Sequence, residues 1–180
     1  MENGCFLPHF RCNIHDVCND ATLSCEGDMP SNIENLRNGI DRNNSTYGEE
    51  DYRVALSLGK AVTYTFTSPV TLSNIHLAFD SDLDRATLVG HSTERRRSML
   101  ANRTPDTAKV YVPKTLIKAY KLTATTEDGK TVTVAENERN LRNCVNHSMP
   151  NEKIVSISFI PEATWGESDT TVDVYSFDFR

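Results

Sequence analysis

The sequence lacks an apolar stretch long enough to cross a bilayer, which takes about 20 consecutive apolar residues in a helix. Its first residues, MENGCFLPHFR, also lack the basic start and apolar run of a secretory signal. Basic residues are outnumbered, since 19 Lys and Arg face 25 Asp and Glu for a formal net charge of −6. We therefore expect no membrane partner, and no nucleic-acid partner, because nucleic acids select cationic surfaces.

Motifs of catalysis and cofactor binding are also missing. The sequence contains neither a Gly-x-Ser-x-Gly nucleophile elbow nor a Gly-x-Gly-x-x-Gly dinucleotide turn. Paired acids for glycoside hydrolysis are available at Asp80, Asp82 and Asp84, but acids at such spacing in a polar loop are usually solvated. None of the five histidines lies in a recognised catalytic motif. We expect no active site in this segment.

Five cysteines are present, an odd number that excludes complete internal pairing: Cys5, Cys12, Cys18, Cys25 and Cys144. The gaps between the first four are too long for a zinc site, even with His9 and His15 nearby. We expect free thiols in a reducing compartment, and together with the missing signal this favours the cytoplasm. An abrupt start at Met1 also favours a segment of a longer protein, and its localisation then stays open.

Strand patterns dominate what the sequence does contain. In Val62–Thr67 apolar residues alternate with threonines, and Ile75–Phe79 repeats the alternation. Asp128-Gly129 predicts a hairpin turn. Seven or eight such strands, with one short helix capped by Ser31 and Glu34, predict an all-β antiparallel jelly-roll sandwich.

Periodicity divides the chain into three parts. Residues 1–30 show none and are predicted to be an irregular lead-in packed on the domain, whereas 31–180 form the sandwich. Residues of about 80–113 interrupt it and are rich in Asp, Arg, Ser and Asn. They predict a long loop insertion, and loops of that length are usually functional or mobile.

Several segments resemble the discoidin-like superfamily, also called galactose-binding-like, over about residues 31–180. They are the turn Asn38–Asp41, the strand entry Ser57–Val62, the hairpin from Tyr120 to Lys130, and a closing strand rich in Val and Phe. The resemblance implies a jelly-roll sandwich that often binds sugars through loops at one end. It also implies a structural calcium ion in a loop, for which Asp41 and Asn43 are weak candidates because calcium takes oxygen ligands.

Four further segments resemble the C-terminal region of bacterial FAD-dependent oxidoreductases: Cys5–His9, Phe79–Leu83, Val112–Leu116 and Pro161–Gly166. Such parents carry the dinucleotide-binding half elsewhere in the chain. The resemblance therefore implies that FAD belongs to the parent protein, and that no cofactor is bound by this segment.

Sugar binding needs a flat apolar face and planar polar groups at its edges. Trp165, the single tryptophan, is the predicted platform, with the alternative that it plugs the end of the sandwich. Tyr52 is a second, weaker platform. Arg85, Arg95 and Arg96 either direct their guanidinium groups to a ligand or pair with nearby acids such as Asp80.

These observations favour a non-catalytic accessory module that binds a carbohydrate. The alternative is a purely structural domain that docks on a flavin domain or on a second subunit and has no small-molecule ligand. A stand-alone hydrolase on a jelly roll is a third hypothesis, which requires two convergent acids in a deep pocket.

Overall fold

Alternating apolar and polar residues form the strands of this chain, and the computed structural model describes residues 18, 20–43, 51–82, 112–166 and 169–179. A 3₁₀ helix spans Ile33–Arg37. The strands are β1 (Thr22–Cys25), β2 (Val54–Ser57), β3 (Val62–Val70), β4 (Asn74–Phe79), β5 (Ile117–Thr126), β6 (Thr131–Asn137), β7 (Cys144–Ser148), β8 (Ile154–Thr164) and β9 (Thr171–Phe179).

The strands make two antiparallel sheets that face each other. One has the order β1-β3-β8-β5-β6 and the other β2-β9-β4-β7. The predicted all-β antiparallel sandwich is therefore confirmed. Among the described residues, no helix has the length and apolar character needed to span a membrane.

Aromatic side chains fill the space between the sheets. Tyr64 contacts Phe177 and Phe179 edge to face, with ring centroids 5.0 and 4.9 Å apart. Its hydroxyl donates to the Phe177 carbonyl at 2.9 Å, which satisfies a polar group that is otherwise shielded from water. This cluster joins the central strand β9 of one sheet to β3 of the other, and each buried ring contributes about 1.5–3 kcal/mol.

Hydroxyl side chains cover the outer face of the five-stranded sheet. The register aligns one row across all five strands: Ser24, Thr63, Ser158, Thr123 and Thr133. A second row runs parallel to it: Thr22, Thr65, Ser156, Thr125 and Thr131. Threonine favours strands because its branched side chain packs on a pleated surface, and this explains the Thr-x-Thr alternation in the sequence.

The lead-in differs from its prediction. Residues Thr22–Cys25 form β1, paired with β3, so the sandwich begins before residue 31. A strand of four residues is too short to show a period, and its stability comes from the ladder with β3. Strand β7 was missed for a similar reason, because in Cys144–Ser148 only Val145 is buried.

The short helix lies at its predicted place, but its capping differs. No side-chain cap bond forms at its start, so the predicted capping box of Ser31 and Glu34 is wrong. Glu34 instead pairs with Arg37 at 2.5 Å, and Asn32 donates its amide to the Arg53 carbonyl at 2.8 Å. The helix is thereby tied to the residues that precede β2.

Eight strands meet at one end of the sandwich, where β2, β4, β6 and β8 have their last residues and β3, β5, β7 and β9 have their first. The predicted insertion leaves from this end, directly after β4. Residues 83–111, most of that insertion, lie outside the described residues. The connection between β6 and β7, residues 138–143, lies at the same end and shapes the site described next.

Candidate functional site

An open cleft of about 300 Å³ lies between β6, the edge of one sheet, and β7, the edge of the other. We call it the β6–β7 cleft. Its lining is dominated by amide, guanidinium and imidazole groups: Asn137, Arg139, Asn140, Arg142, Asn146 and His147. Leu141, Val145 and Tyr120 complete it. Such a lining offers many hydrogen-bond donors and acceptors and one exposed apolar side chain.

Two consecutive Asx turns build the rim of the cleft. The Asn137 side-chain oxygen accepts from the Arg139 amide at 3.0 Å, and the Asn140 side-chain oxygen accepts from the Arg142 amide at 3.1 Å. Asparagine favours this local bond to the backbone two residues ahead. The tandem Asn-Glu-Arg and Asn-Leu-Arg therefore puts both arginines at equivalent positions of successive turns.

Asn140 anchors this connection on the start of β5. Its side chain is buried, with only 2% of the residue exposed. The side-chain amide donates to the carbonyls of Ile117 at 3.0 Å and Arg142 at 2.8 Å, and the backbone amide donates to the Lys118 carbonyl at 2.8 Å. Three hydrogen bonds of Asn140 therefore fix the rim of the cleft, two of them to the start of β5.

The floor of the cleft is a hydrogen bond between Tyr120 and His147. The Tyr120 hydroxyl lies 2.9 Å from His147 Nε2. Burial lowers the pKa of His147, which favours a neutral imidazole whose Nε2 accepts from the phenol. Burial also raises the pKa of Tyr120, although the nearby Asn137 side chain opposes this, so the phenol keeps its proton.

A pH dependence of stability follows from the lowered pKa of His147. As pH falls from about 7 through the ordinary histidine value near 6.5, the unfolded chain binds the proton more readily than the folded one. The wild-type protein should therefore lose stability relative to His147→Gln between about pH 7 and pH 5. Urea denaturation of both proteins at the two pH values measures the difference, and a pH-independent difference would contradict the account.

Trp165, the predicted platform, lies behind the rim of the cleft. Its indole N–H donates to the Asn140 carbonyl at 2.8 Å, and its ring packs against the core. The Lys118 ammonium lies 5.4 Å from the ring centroid. Through these contacts Trp165 supports the 138–143 connection. This resembles the alternative role, in which Trp165 plugs the end of the sandwich. Direct stacking on a sugar stays a prediction.

Three of the other predicted residues meet at a second, smaller cavity. Asp41, Asn43 and Asp80 line a space of about 10 Å³, together with Ser81 and Tyr175. That volume accommodates about one water molecule, which is too little for a sugar ring. The calcium candidates Asp41 and Asn43 and the ligand candidate Asp80 are thus neighbours in the fold, and the ligand contact of Asp80 stays a prediction.

The calcium candidates of this small cavity have other partners. The Asp41 carboxylate lies 3.0 Å from His76 Nε2, and Asn43 donates to Asp51 and accepts from the Tyr52 amide, both at 2.9 Å. In the described ranges, no group of three or more His, Cys, Asp or Glu side chains is placed to hold a metal ion. A structural calcium at Asp41 and Asn43 therefore stays a prediction without a described ligand cluster.

The remaining predicted site residues lie apart from the β6–β7 cleft or outside the described chain. Tyr52 is half-buried beside Asp51, whose pKa is lowered by its hydrogen-bonded pair with Arg53. Arg85, Arg95 and Arg96 all fall within the residues that the structure does not describe. Their predicted contacts with a ligand or with Asp80 stay predictions.

One Cys-His-Asp grouping was not anticipated, because its members are distant in sequence. Cys144 Sγ lies 3.9 Å from each ring nitrogen of His76. Nδ1 of His76 lies 2.8 Å from Asn146 Oδ1, and Nε2 lies 3.0 Å from Asp41 Oδ1. Since an oxygen atom already lies at hydrogen-bond distance from each nitrogen, neither is placed to take the thiol proton as a catalytic base would. The grouping therefore serves to bind the chain segment around Asp41 to the outer face of β4.

Solved carbohydrate-binding modules share this architecture. GH31 CBM32-2 bound to GalNAc superposes with a TM-score of 0.55 at 13% identity, over 88% of this chain and 97% of that chain. The family 32 module from Streptococcus pneumoniae EndoD has a TM-score of 0.55 at 14% identity, over 89% and 94%. CpGH89CBM32-5 from Clostridium perfringens, in complex with GalNAc-beta-1,3-galactose, has 0.54 at 6% identity, over 91% and 96%.

The chain has the galactose-binding-like β-sandwich fold. The sequence resemblance to that superfamily is confirmed at the level of the fold. No protein-family model matches the chain, and no curated protein matches its sequence. Identities this low establish the shared fold alone, so the function of this chain is argued from its own cleft.

Proposed function

We propose that this chain is a non-catalytic accessory module that binds a saccharide in the β6–β7 cleft. The observation that carries the proposal is the lining of the cleft, where side-chain amides and guanidinium groups surround an exposed leucine. Planar amides and guanidinium groups fix the direction of sugar hydroxyls, and an apolar side chain covers the C–H face of the ring. The neighbours in complex with GalNAc and GalNAc-beta-1,3-galactose support the same class of ligand.

The lining of the cleft also argues against a hydrolase. No Asp or Glu is among its described lining residues, whereas glycoside hydrolysis needs two carboxyl groups about 5–10 Å apart. The small cavity does contain Asp41 and Asp80, but its 10 Å³ leaves no room for a glycosidic bond and its flanking sugars. The β6–β7 cleft and the small cavity therefore both favour binding without hydrolysis.

The structural alternative is docking on another domain or on a second subunit. Such an interface is usually a contiguous apolar patch. Over the described surface, the exposed large hydrophobic residues are Met29, at 58%, and Leu141, at 56%, and only Leu141 lines the cleft. This surface favours a polar ligand over an apolar docking partner.

The resemblance of four segments to FAD-dependent oxidoreductases adds a finer proposal, that the module is the C-terminal part of such an enzyme. Flavin chemistry would then belong to the dinucleotide-binding half of that enzyme, which is outside this sequence. The reading frame upstream of Met1 tests this proposal. A strand, a Gly-x-Gly-x-x-Gly turn and a helix there would support it, and a stop codon directly upstream would overturn it.

Met29 and Leu141 supply a matched test of the saccharide site, because both are large, apolar and exposed and only Leu141 lines the cleft. On a glycan array followed by calorimetry, we expect a saccharide that binds the wild-type protein in the micromolar to millimolar range. Leu141→Ser should weaken that binding about fivefold by removing apolar contact, while Met29→Ser leaves it unchanged.

Two results would contradict the proposal. One is the failure of every saccharide to bind at millimolar concentration. The other is equal binding by both variants and by Asn146→Ala, which would move the site away from the β6–β7 cleft.

A further inference from the structure

The two arginines of the β6–β7 cleft, Arg139 and Arg142, differ in their surroundings from Arg37 and Arg53. Arg37 pairs with Glu34, and Arg53 pairs with Asp51. In the part of the chain that the structure describes, neither Arg139 nor Arg142 has a carboxylate within ion-pair distance. Two guanidinium groups therefore line one cleft with no ion-paired carboxylate among the residues that the structure describes.

The two acids closest in sequence, Glu136 and Glu138, form no ion pair with Arg139 or Arg142. Glu136 lies on β6 and is 3.8 Å from Lys121. Glu138 is exposed and does not line the cleft. In a chain with a net charge of −6, the described lining of the cleft thus contains two guanidinium groups and no carboxylate.

The backbone presents both guanidinium groups from fixed points. The two Asx turns place Arg139 and Arg142 three residues apart, and the buried Asn140 between them ties the turn to β5. A fixed backbone lowers the entropy that is lost when the side chains close on a ligand. Guanidinium groups recognise carboxylates in a bidentate manner, with stronger hydrogen bonds than neutral donors make.

We infer that the β6–β7 cleft recognises an acidic saccharide, one whose uronic-acid carboxylate is bound by Arg139 and Arg142. The inference rests on the proposed function, because it names the ligand class of the same cleft. The neutral donors and acceptors of Asn137, Asn146 and His147 would then bind the hydroxyls of the sugar ring.

A matched pair of ligands tests the inference. Trigalacturonate and galactotriose have the same ring stereochemistry and differ in the carboxylate, so calorimetry at about 50 mM NaCl isolates the charge. We expect trigalacturonate to bind about tenfold more tightly, and the preference to shrink at about 500 mM NaCl, where screening is stronger. A galactose oligosaccharide that carries sulfate esters is the third ligand, and we expect it to bind more weakly than the uronate.

Two arginine variants and one lysine control test whether the preference for the uronate depends on the arginines. Arg139→Gln and Arg142→Gln should each reduce the affinity for trigalacturonate about threefold to tenfold and that for galactotriose by a smaller factor, so that the preference for the uronate shrinks. Lys130→Gln removes an equal charge from the exposed β5–β6 turn, at the other end of the sandwich, and should change neither affinity. Thermal unfolding of each variant verifies that it is folded.

The outcomes separate the two proposals. If neither the uronate nor the neutral sugar binds, and no other saccharide does, the proposed function fails. If galactotriose binds as tightly as trigalacturonate, or if both arginine variants retain the preference, the acidic-ligand inference is wrong while the saccharide site stands. A sulfated ligand that binds more tightly than the uronate overturns the assignment to a carboxylate.

Discussion

Replacing Phe177 with alanine is expected to lower the free energy of unfolding by about 3–5 kcal/mol. Phe177 is fully buried on β9, and its ring centroid lies 5.0 Å from that of Tyr64 and 5.6 Å from that of Phe159. The substitution removes the ring that joins both sheets and leaves a cavity between them. The free energy of unfolding of an ordinary domain is about 5–15 kcal/mol, so this one substitution would remove a large part of the stability.

Urea denaturation of Phe177→Ala, followed by circular dichroism, measures this loss. Met29→Ala is the control, because Met29 is 58% exposed and its truncation should cost less than about 0.5 kcal/mol. A loss below about 1 kcal/mol in Phe177→Ala would show that the aromatic cluster does not hold the two sheets together as described.

Asn140→Ala is expected to change stability and binding together. The substitution removes two donated hydrogen bonds and the bond accepted from Arg142, and it leaves the buried Ile117 carbonyl without the Asn140 donor. A buried polar group that loses its partner costs about 1–3 kcal/mol, so we expect a loss of about 2–3 kcal/mol. Saccharide affinity should fall at least about tenfold, because the rim that carries both arginines loses its anchor.

Asn151→Ala is the matched control for this variant, because Asn151 is exposed in the connection between β7 and β8. It should retain both wild-type stability and wild-type affinity. Binding is measured at a temperature where circular dichroism shows both variants to be folded. Wild-type stability in Asn140→Ala would contradict the structural role of this amide, and wild-type affinity in the folded variant would contradict its role in the cleft.

The sheet architecture was predictable because strand periodicity and turn chemistry are local properties. The alternation in Val62–Thr67 identified β3, and Asp128-Gly129 identified the hairpin between β5 and β6, where Gly129 adopts a φ of 80°. Strands β1 and β7 were not predictable in the same way. They are short and polar, and they are strands because a longer neighbour supplies the hydrogen-bond ladder.

The cleft was not predictable from the sequence, because it depends on which strands lie at the sheet edges. β6 and β7 are consecutive in the chain but belong to different sheets, and this places the 138–143 connection across the gap between them. The sequence did contain one usable signal, the tandem Asn-x-Arg of residues 137–142. The single tryptophan and the charged insertion instead predict a site at Trp165 and Arg95, which stays a prediction.

The measurement that tests the saccharide site most directly is a titration of ¹⁵N-labelled protein with trigalacturonate, or with the best saccharide from the array, followed by amide chemical shifts. The largest shifts are expected at four residues that line the β6–β7 cleft: Arg139, Leu141, Arg142 and Asn146. Shifts concentrated instead around Tyr52 and Asp80, or no shifts at millimolar ligand, would contradict the proposed site.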